Sequence, residues 1–492
     1  MKRLISCVLA LLYVMAGFAS GTWILHGKEY RVDTLYHAYI GPGTTQTSIK
    51  LAGPVNLRVF YTTTDLKNEN VDVRAIKHKD TLTGLGTVSN AAESHSTSNR
   101  SYFAGINADF FSSSMPCGIT VVDGEVYCSD QASGWSLFGI DANKIPYSGG
   151  GDFYVKLTAP DYSTAELSAM NLERETNGLV LYSSRKGANT GTDGNGSEVV
   201  LIPDGEGNFL TPGATVRMRV QGNPNHAGSM PILDNGYILS GSGTKESFVS
   251  NLSEGDVVEV RCAIRFNGFT GGKIQQALGG CPMLVSGGKV LDTENALDHL
   301  TSAQPRTAVG YNAEKNKLVM LVADGRSSIS VGPISKVLAD IMIYAGCSEA
   351  MNFDGGGSST FYVKGEGVIN QPSDGSERSV TDGLYLSTDA PQNDVTITTI
   401  RFMDYAKTLN QGDAYTPVIY GYNQYGVLVD RNVEGVTLSC GSSLGTITND
   451  GTTLNASGSG THMLTAGYGN LTTTLSVTVI GESGISSVDN SQ

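Results

Sequence analysis

Along residues 22–99 apolar side chains come in short alternating runs, such as 55–61 and 71–76, each broken by Gly, Pro, Asn or Asp. A period of two turns one face of an extended chain toward a core, so these runs predict strands joined by turns. The texture continues to about residue 389, interrupted by one predicted helix. Ile334, Val337, Leu338, Ile341 and Ala345 share a helical face, with Pro333 at its start and Gly346 as its stop. Around it, 307–311 and 318–323 predict a hairpin that runs into Asp324-Gly325. Residues 350–353 predict a short strand stopped by Asp354 and three glycines, and 361–363 predict another. The expected class is α+β: a β-rich main domain of mostly antiparallel sheet with few helices.

Residues 389–394, with Pro391 inside, read as a linker. Beyond it, 395–480 carry short Thr/Val/Tyr runs and Gly/Asn turns, which predict an all-β, immunoglobulin-like sandwich acting as a spacer or docking module. The polar stretch 481–492 reads as a disordered tail. A length of 492 residues also exceeds what one ordinary core accommodates. At the other end, Lys2 and Arg3 precede an apolar run at 4–18 and the small residues Ala19, Ser20 and Gly21. That order is a secretory signal over 1–21, and the run falls short of the roughly 20 residues of a membrane span. The mature chain is therefore expected to be secreted, or periplasmic in the cell envelope, with no transmembrane segment.

Charge narrows the partners. The formal net charge is -14 and no Lys/Arg cluster occurs, which argues against nucleic acid. An acidic chain that binds phosphate needs locally placed Arg side chains or backbone N–H groups. Outside the signal, the six residues Cys117, Cys128, Cys262, Cys281, Cys347 and Cys440 permit disulfides without fixing their pairing. A two-residue turn at Asp123-Gly124 would put Cys128 opposite Ile119 and Cys117 diagonal to it, a strained geometry for a bond. No Cys/His spacing suggests zinc.

Two stretches pair an amide with a carboxylate two residues on: Asn107 with Asp109, and Asn352 with Asp354. In a strand such pairs share a face, where the amide can hold a sugar hydroxyl while the carboxylate acts as base, nucleophile or charge stabiliser. Each Asp taken alone serves equally well as a turn cap. Gly355, Gly356 and Gly357 are costly to order and let N–H groups approach a ligand, as in a phosphate nest, with Ser358 beside them. No Lys follows where a nucleotide P-loop requires one. Arg306 and Arg378 are candidate phosphate partners. Two acids beside carbonyl-rich turns leave a calcium site open, although no EF-hand spacing exists, and the chemistry requires no cofactor.

Taken in order, NADFF (107–111), PRTAVG (305–310), ADGR (323–326), NFDGGGS (352–358) and RSVT (378–381) resemble the phosphodiester glycosidase family. The mammalian mannose-6-phosphate uncovering enzyme shares this domain. The resemblance spans about 101–387. It implies a family domain at 101–388, with 22–100 as the β-rich N-terminal part of the catalytic region. It also implies hydrolysis of the anomeric C–O bond of a sugar-1-phosphodiester, of N-acetylglucosamine type or a related glycan, to free sugar and phosphomonoester. In that reading Asp354 is base or nucleophile, and Arg306 and Arg378 neutralise the leaving phosphate beside the donors at 355–358. Asn107 and Asn352 hold sugar hydroxyls, Asp324 orients an Arg or a water, and Asp109 is a further catalytic acid where the family often has glycine. The signal and the C-terminal module in place of a Cys-rich tail suggest a bacterial envelope protein acting on microbial or dietary glycan phosphodiesters. The alternatives are a non-catalytic glycan-binding surface protein and a phosphodiesterase that cuts P–O. The sequence sets no oligomeric state.

Overall fold

The computed structural model describes residues 21–130, 134–205, 209–266, 272–292 and 302–481. Residues 1–20 of the expected signal (1–21) and 482–492 of the expected tail (481–492) lie outside them. Strands dominate, nearly all antiparallel. The largest sheet has nine strands, and its centre mixes distant parts of the chain. Asn56–Asp65 lies beside Lys317–Ala323, which pairs with Arg306–Tyr311, and that strand in turn with Glu349–Asn352. Residues 21–65 thus supply four strands of the same sheet as the predicted hairpin. Residues 21–100 belong to the main body.

A five-stranded sheet faces it, in the order Gly367–Val368, Phe361–Val363, Ser101–Asn107, Asp382–Thr388, Asp72–Lys77. Phe60, Val309, Met320, Phe353, Ile106, Phe361 and Leu384 fill the space between the two. The helix Ser335–Tyr344 covers the other face of the nine-stranded sheet through Leu338, Ile341 and Met342, as its apolar stripe requires. An unpredicted helix, Val88–His95, covers the outer face of the five-stranded sheet. Its eight residues bury only Val88, Ala91 and Ala92, too few for a visible 3.6-residue period, and Thr87 caps it by accepting the Asn90 N–H. Both central strands, Ser101–Asn107 and Arg306–Tyr311, are buried along their whole length, so neither alternates in hydropathy.

Between residues 111 and 280 the chain builds a second five-stranded sheet and an eight-stranded sheet, packed over Ile119, Val121, Leu137, Val260 and Ile274. The cysteines among the described residues are all free. Cys128 pairs with Thr120 rather than Ile119, because a bulge between Val126 and Cys128 shifts the register.

The segment from 395 to 480 has its own core, from Ile400 to Val479, under sheets of three, four and three strands. Ala406–Asn410 runs parallel to Leu471–Ile480, in contrast to the antiparallel pairing elsewhere in this segment. The segment is docked, not loosely tethered. Arg100 grips Asp389 through two bonds, at 2.7 and 2.9 Å. Tyr422 donates to the Tyr39 carbonyl, Arg401 stacks over the Tyr39 ring, and Arg431 pairs with Glu366. No helix among the described residues is long and apolar enough to cross a membrane.

Candidate active site

The two facing sheets meet at one end, where three strand termini each deliver an aspartate. Asp109 lies two residues beyond Ser101–Asn107, Asp382 opens the neighbouring strand, and Asp354 follows Glu349–Asn352 of the other sheet. Backbone bonds stitch this seam: the Asp354 N–H donates to the Ala108 carbonyl at 2.8 Å, and Phe353 N–H to the Thr307 carbonyl at 2.8 Å.

Both strands end at the Asn, so each Asp lies two residues beyond its strand and the two side chains of a pair find different partners. Asn107 is buried and fully engaged. Its Nδ2 donates to the Asp354 carbonyl, while its Oδ1 accepts from the Thr307 hydroxyl and the Thr360 N–H. It therefore ties the sheets together instead of presenting a free amide. Asn352 spends its Nδ2 on the carbonyls of Cys281 and Phe353, and its buried Oδ1 has no partner. Asp324 is buried and holds the Asn370–Gln371 loop through Oδ1, and burial raises its carboxyl.

The glycine run lines this seam, with Gly355 and Gly356 partly exposed and Gly357 buried. Gly356 has φ +62°, a left-handed conformation that a side chain would strain, and its N–H donates to the Pro305 carbonyl. A Cβ there would meet Nη2 of Arg326 at 3.0 Å. At Gly357 any side chain would collide with Arg378 and its ion-pair partner Asp374. Two guanidinium groups thus rest on two successive glycines. Arg378 is anchored by Asp374 and reaches the Ser358 hydroxyl at 3.4 Å. Arg326, exposed, is held by Gln304 Oε1 at 2.7 Å and Ser373 Oγ at 3.3 Å. Arg306 goes elsewhere: its buried guanidinium donates to the carbonyls of Ser302 and Pro333, and burial lowers it to about 10. It braces the backbone on which the glycine turn sits.

Burial pushes the Asp354 carboxyl up to about 6, against the pull of the Ser358 hydroxyl, the Gly355 N–H and Arg378. Such a group is half ionised in mildly acidic solution, which suits a base or nucleophile. Asp109 and Asp382 are fully buried behind it, and burial raises both carboxyls. Among the described residues no three His, Cys, Asp or Glu side chains are arranged to hold a metal ion.

Residues 212–387 match the family model described as phosphodiester glycosidase. That segment, just over a third of the chain, is similar to the family. The match includes Arg306, Asp324, Arg326, Asn352, Asp354–Ser358, Arg378 and Asp382, while Asn107 and Asp109 precede it. A stretch of 88 residues is 40% identical to the SPbeta prophage-derived uncharacterized protein YomE of Bacillus subtilis, covering 18% of this chain and 13% of that one. Among solved structures, a putative exported protein from Burkholderia pseudomallei superposes with TM-score 0.54 at 17% identity, over 75% of this chain and 99% of its own. A hypothetical protein from Synechocystis also gives 0.54, at 15% identity, over 70% of this chain and 62% of its own. Both likenesses concern the fold.

Three residues at the seam escaped sequence reasoning. Arg326 closes the ADGR segment, Asp382 follows RSVT directly, and Lys77 ends the apolar run that begins at Val71. A lysine within an otherwise buried strand was the available signal for the last. Nothing in spacing marked the other two.

Proposed function

We propose that the chain is a glycosidase that hydrolyses a sugar-1-phosphodiester at the anomeric C–O bond, releasing free sugar and a phosphomonoester. The observation that carries this reading is the placement of Asp354 beside a glycine turn on which two guanidinium groups converge. Arg326 and Arg378 neutralise the leaving phosphate, and the N–H groups of the turn lie beside them. A phosphomonoester has a second pKa of roughly 6, so it departs without the strong protonation that an alcohol needs. Asp354 acts at the opposite side of the scissile bond, as nucleophile on the anomeric carbon or as base to a water.

The reading calls on no cofactor, and a calcium ion is not needed for any step. Export, an N-acetylglucosamine-type sugar and a glycan-linked phosphate belong to the same proposal, supported by the leader-like N-terminus and the family match. Hydrolysis in ¹⁸O-water tests it. Label in the sugar with an unlabelled phosphomonoester is the expected outcome. Label in the phosphate would establish P–O cleavage, and ligand retention without products from a panel of sugar phosphodiesters would establish a binding protein.

A further inference from the structure

Three carboxylates gathered in one pocket pose an electrostatic problem for an enzyme whose substrate is an anion. The packing behind Asp354 answers it. Asp382 is fully buried, and each of its oxygens accepts a hydrogen bond: Oδ1 from the Asp109 N–H and Oδ2 from the Thr381 hydroxyl, both at 2.9 Å. A carboxyl that only accepts is in its ionised form. A buried anion needs a counter-charge, and Lys77 acts on it electrostatically without a direct ion pair. Its side chain is 1% exposed, and its Nζ donates to the carbonyls of Thr381 at 3.1 Å and Gly84 at 3.4 Å, next to Asp382.

Asp109 has the opposite pattern. Its Oδ2 accepts the Gly118 N–H at 2.8 Å, but its buried Oδ1 accepts no hydrogen bond. The Phe110 N–H also acts on the carboxyl and pulls toward its ionised form, against the larger effect of burial. The charged and titratable groups facing it are Asp382, Asp354, Lys77, Cys117 and Cys128. The nearest cation is therefore already committed to Asp382. An oxygen with no donor, in a pocket with no spare positive charge, is where a proton resides.

We infer that Asp109 stays a neutral carboxylic acid at the working pH because Lys77 compensates Asp382, so that Asp354 is the carboxylate of this cluster whose charge the substrate meets. Lys77 and Asp382 are then positioning residues: they set the charge of the site without touching substrate. The device admits an anionic phosphodiester that three ionised acids would repel, and this consequence rests on the function proposed above. The protonation pattern itself does not, and infrared spectroscopy of the full chain reads it without substrate.

At pH 8, above the Asp354 transition near 6, the wild type should show a protonated-carboxyl stretch from Asp109, distinct from any that the buried Asp324 contributes. The band should disappear in Asp109→Asn and persist in Asp354→Asn. It should also disappear in Asp382→Asn, where Lys77 is freed to compensate an ionised Asp109. Lys77→Met should add a second band, as Asp382 takes up a proton. Absence of any band in the wild type, or its survival in Asp109→Asn, overturns the inference. Should Lys77→Met fail to fold, the three near-isosteric Asn variants decide the matter. Label in the phosphate in the ¹⁸O experiment, with these bands intact, would overturn the function and leave this inference standing.

Discussion

Replacing Asp354 with Asn separates activity from stability at one position. Asn keeps the shape of Asp but can act neither as nucleophile nor as base. Activity should fall by about 10²–10⁴-fold if Asp354 is a base, and further if it is the nucleophile. Stability should move the other way. Burial raises the carboxyl from an ordinary 3.8 to about 6, so the folded state binds the proton more tightly than the unfolded chain does. The stability this group contributes is present below pH 3.8 and is lost as pH rises through about 6. At roughly 1.4 kcal/mol per pH unit, the ionised group costs the fold about 3 kcal/mol above pH 6. Asn mimics the protonated form and escapes that cost. Urea unfolding should thus find Asp354→Asn about 3 kcal/mol more stable than wild type at pH 8, about half that at pH 5, and equal below 3.8. The wild-type rate should rise with pH along a limb near 6. A variant that is less stable at pH 8, or whose advantage does not depend on pH, would refute the argument that burial destabilises this carboxylate.

Two further outcomes follow from the same geometry. Arg378→Ala should lower kcat/KM by about 10²–10³-fold, as loss of other preorganised charge donors does, and Arg326→Ala should lower it less because neutral partners, Gln304 and Ser373, hold that side chain where an ion pair with Asp374 fixes Arg378. Lys at either position should rescue only in part, since it lacks the planar fork; full activity in both Ala variants would remove the phosphate cradle. A chain ending at Thr388 should keep kcat/KM on small substrates but melt at a lower temperature, because it loses the Tyr422–Tyr39 and Arg431–Glu366 contacts and uncovers Ala38. An unchanged melting temperature would show the C-terminal segment to be a mere appendage.

Much of the site's neighbourhood was legible before any coordinates. The hairpin, the helix after Pro333 and the strand before the glycines came out within a residue or two, because each is local: a period, a stop and a turn residue suffice. Val88–His95 was missed because a short helix on a sheet exposes too little pattern. The Cys128 register was missed because a bulge leaves no mark in hydropathy.

The sequence by itself determined the β-rich class, the chemistry at hand and the segment that bends at Asp354, since glycine runs and motif order are written in consecutive residues. What the acids and arginines do was decided by tertiary structure. Arg306 and Arg326 read alike in the sequence; folding buries one among carbonyls and lays the other on Gly356. Asn107 and Asp109 are two residues apart, yet one becomes a stitch between sheets and the other a buried acid beside Asp382. Charge and accessibility depend on neighbours that lie hundreds of residues away in the chain. Lys77, Asp109, Asp354 and Asp382 meet only where two sheets close on one another, and no local pattern encodes that meeting.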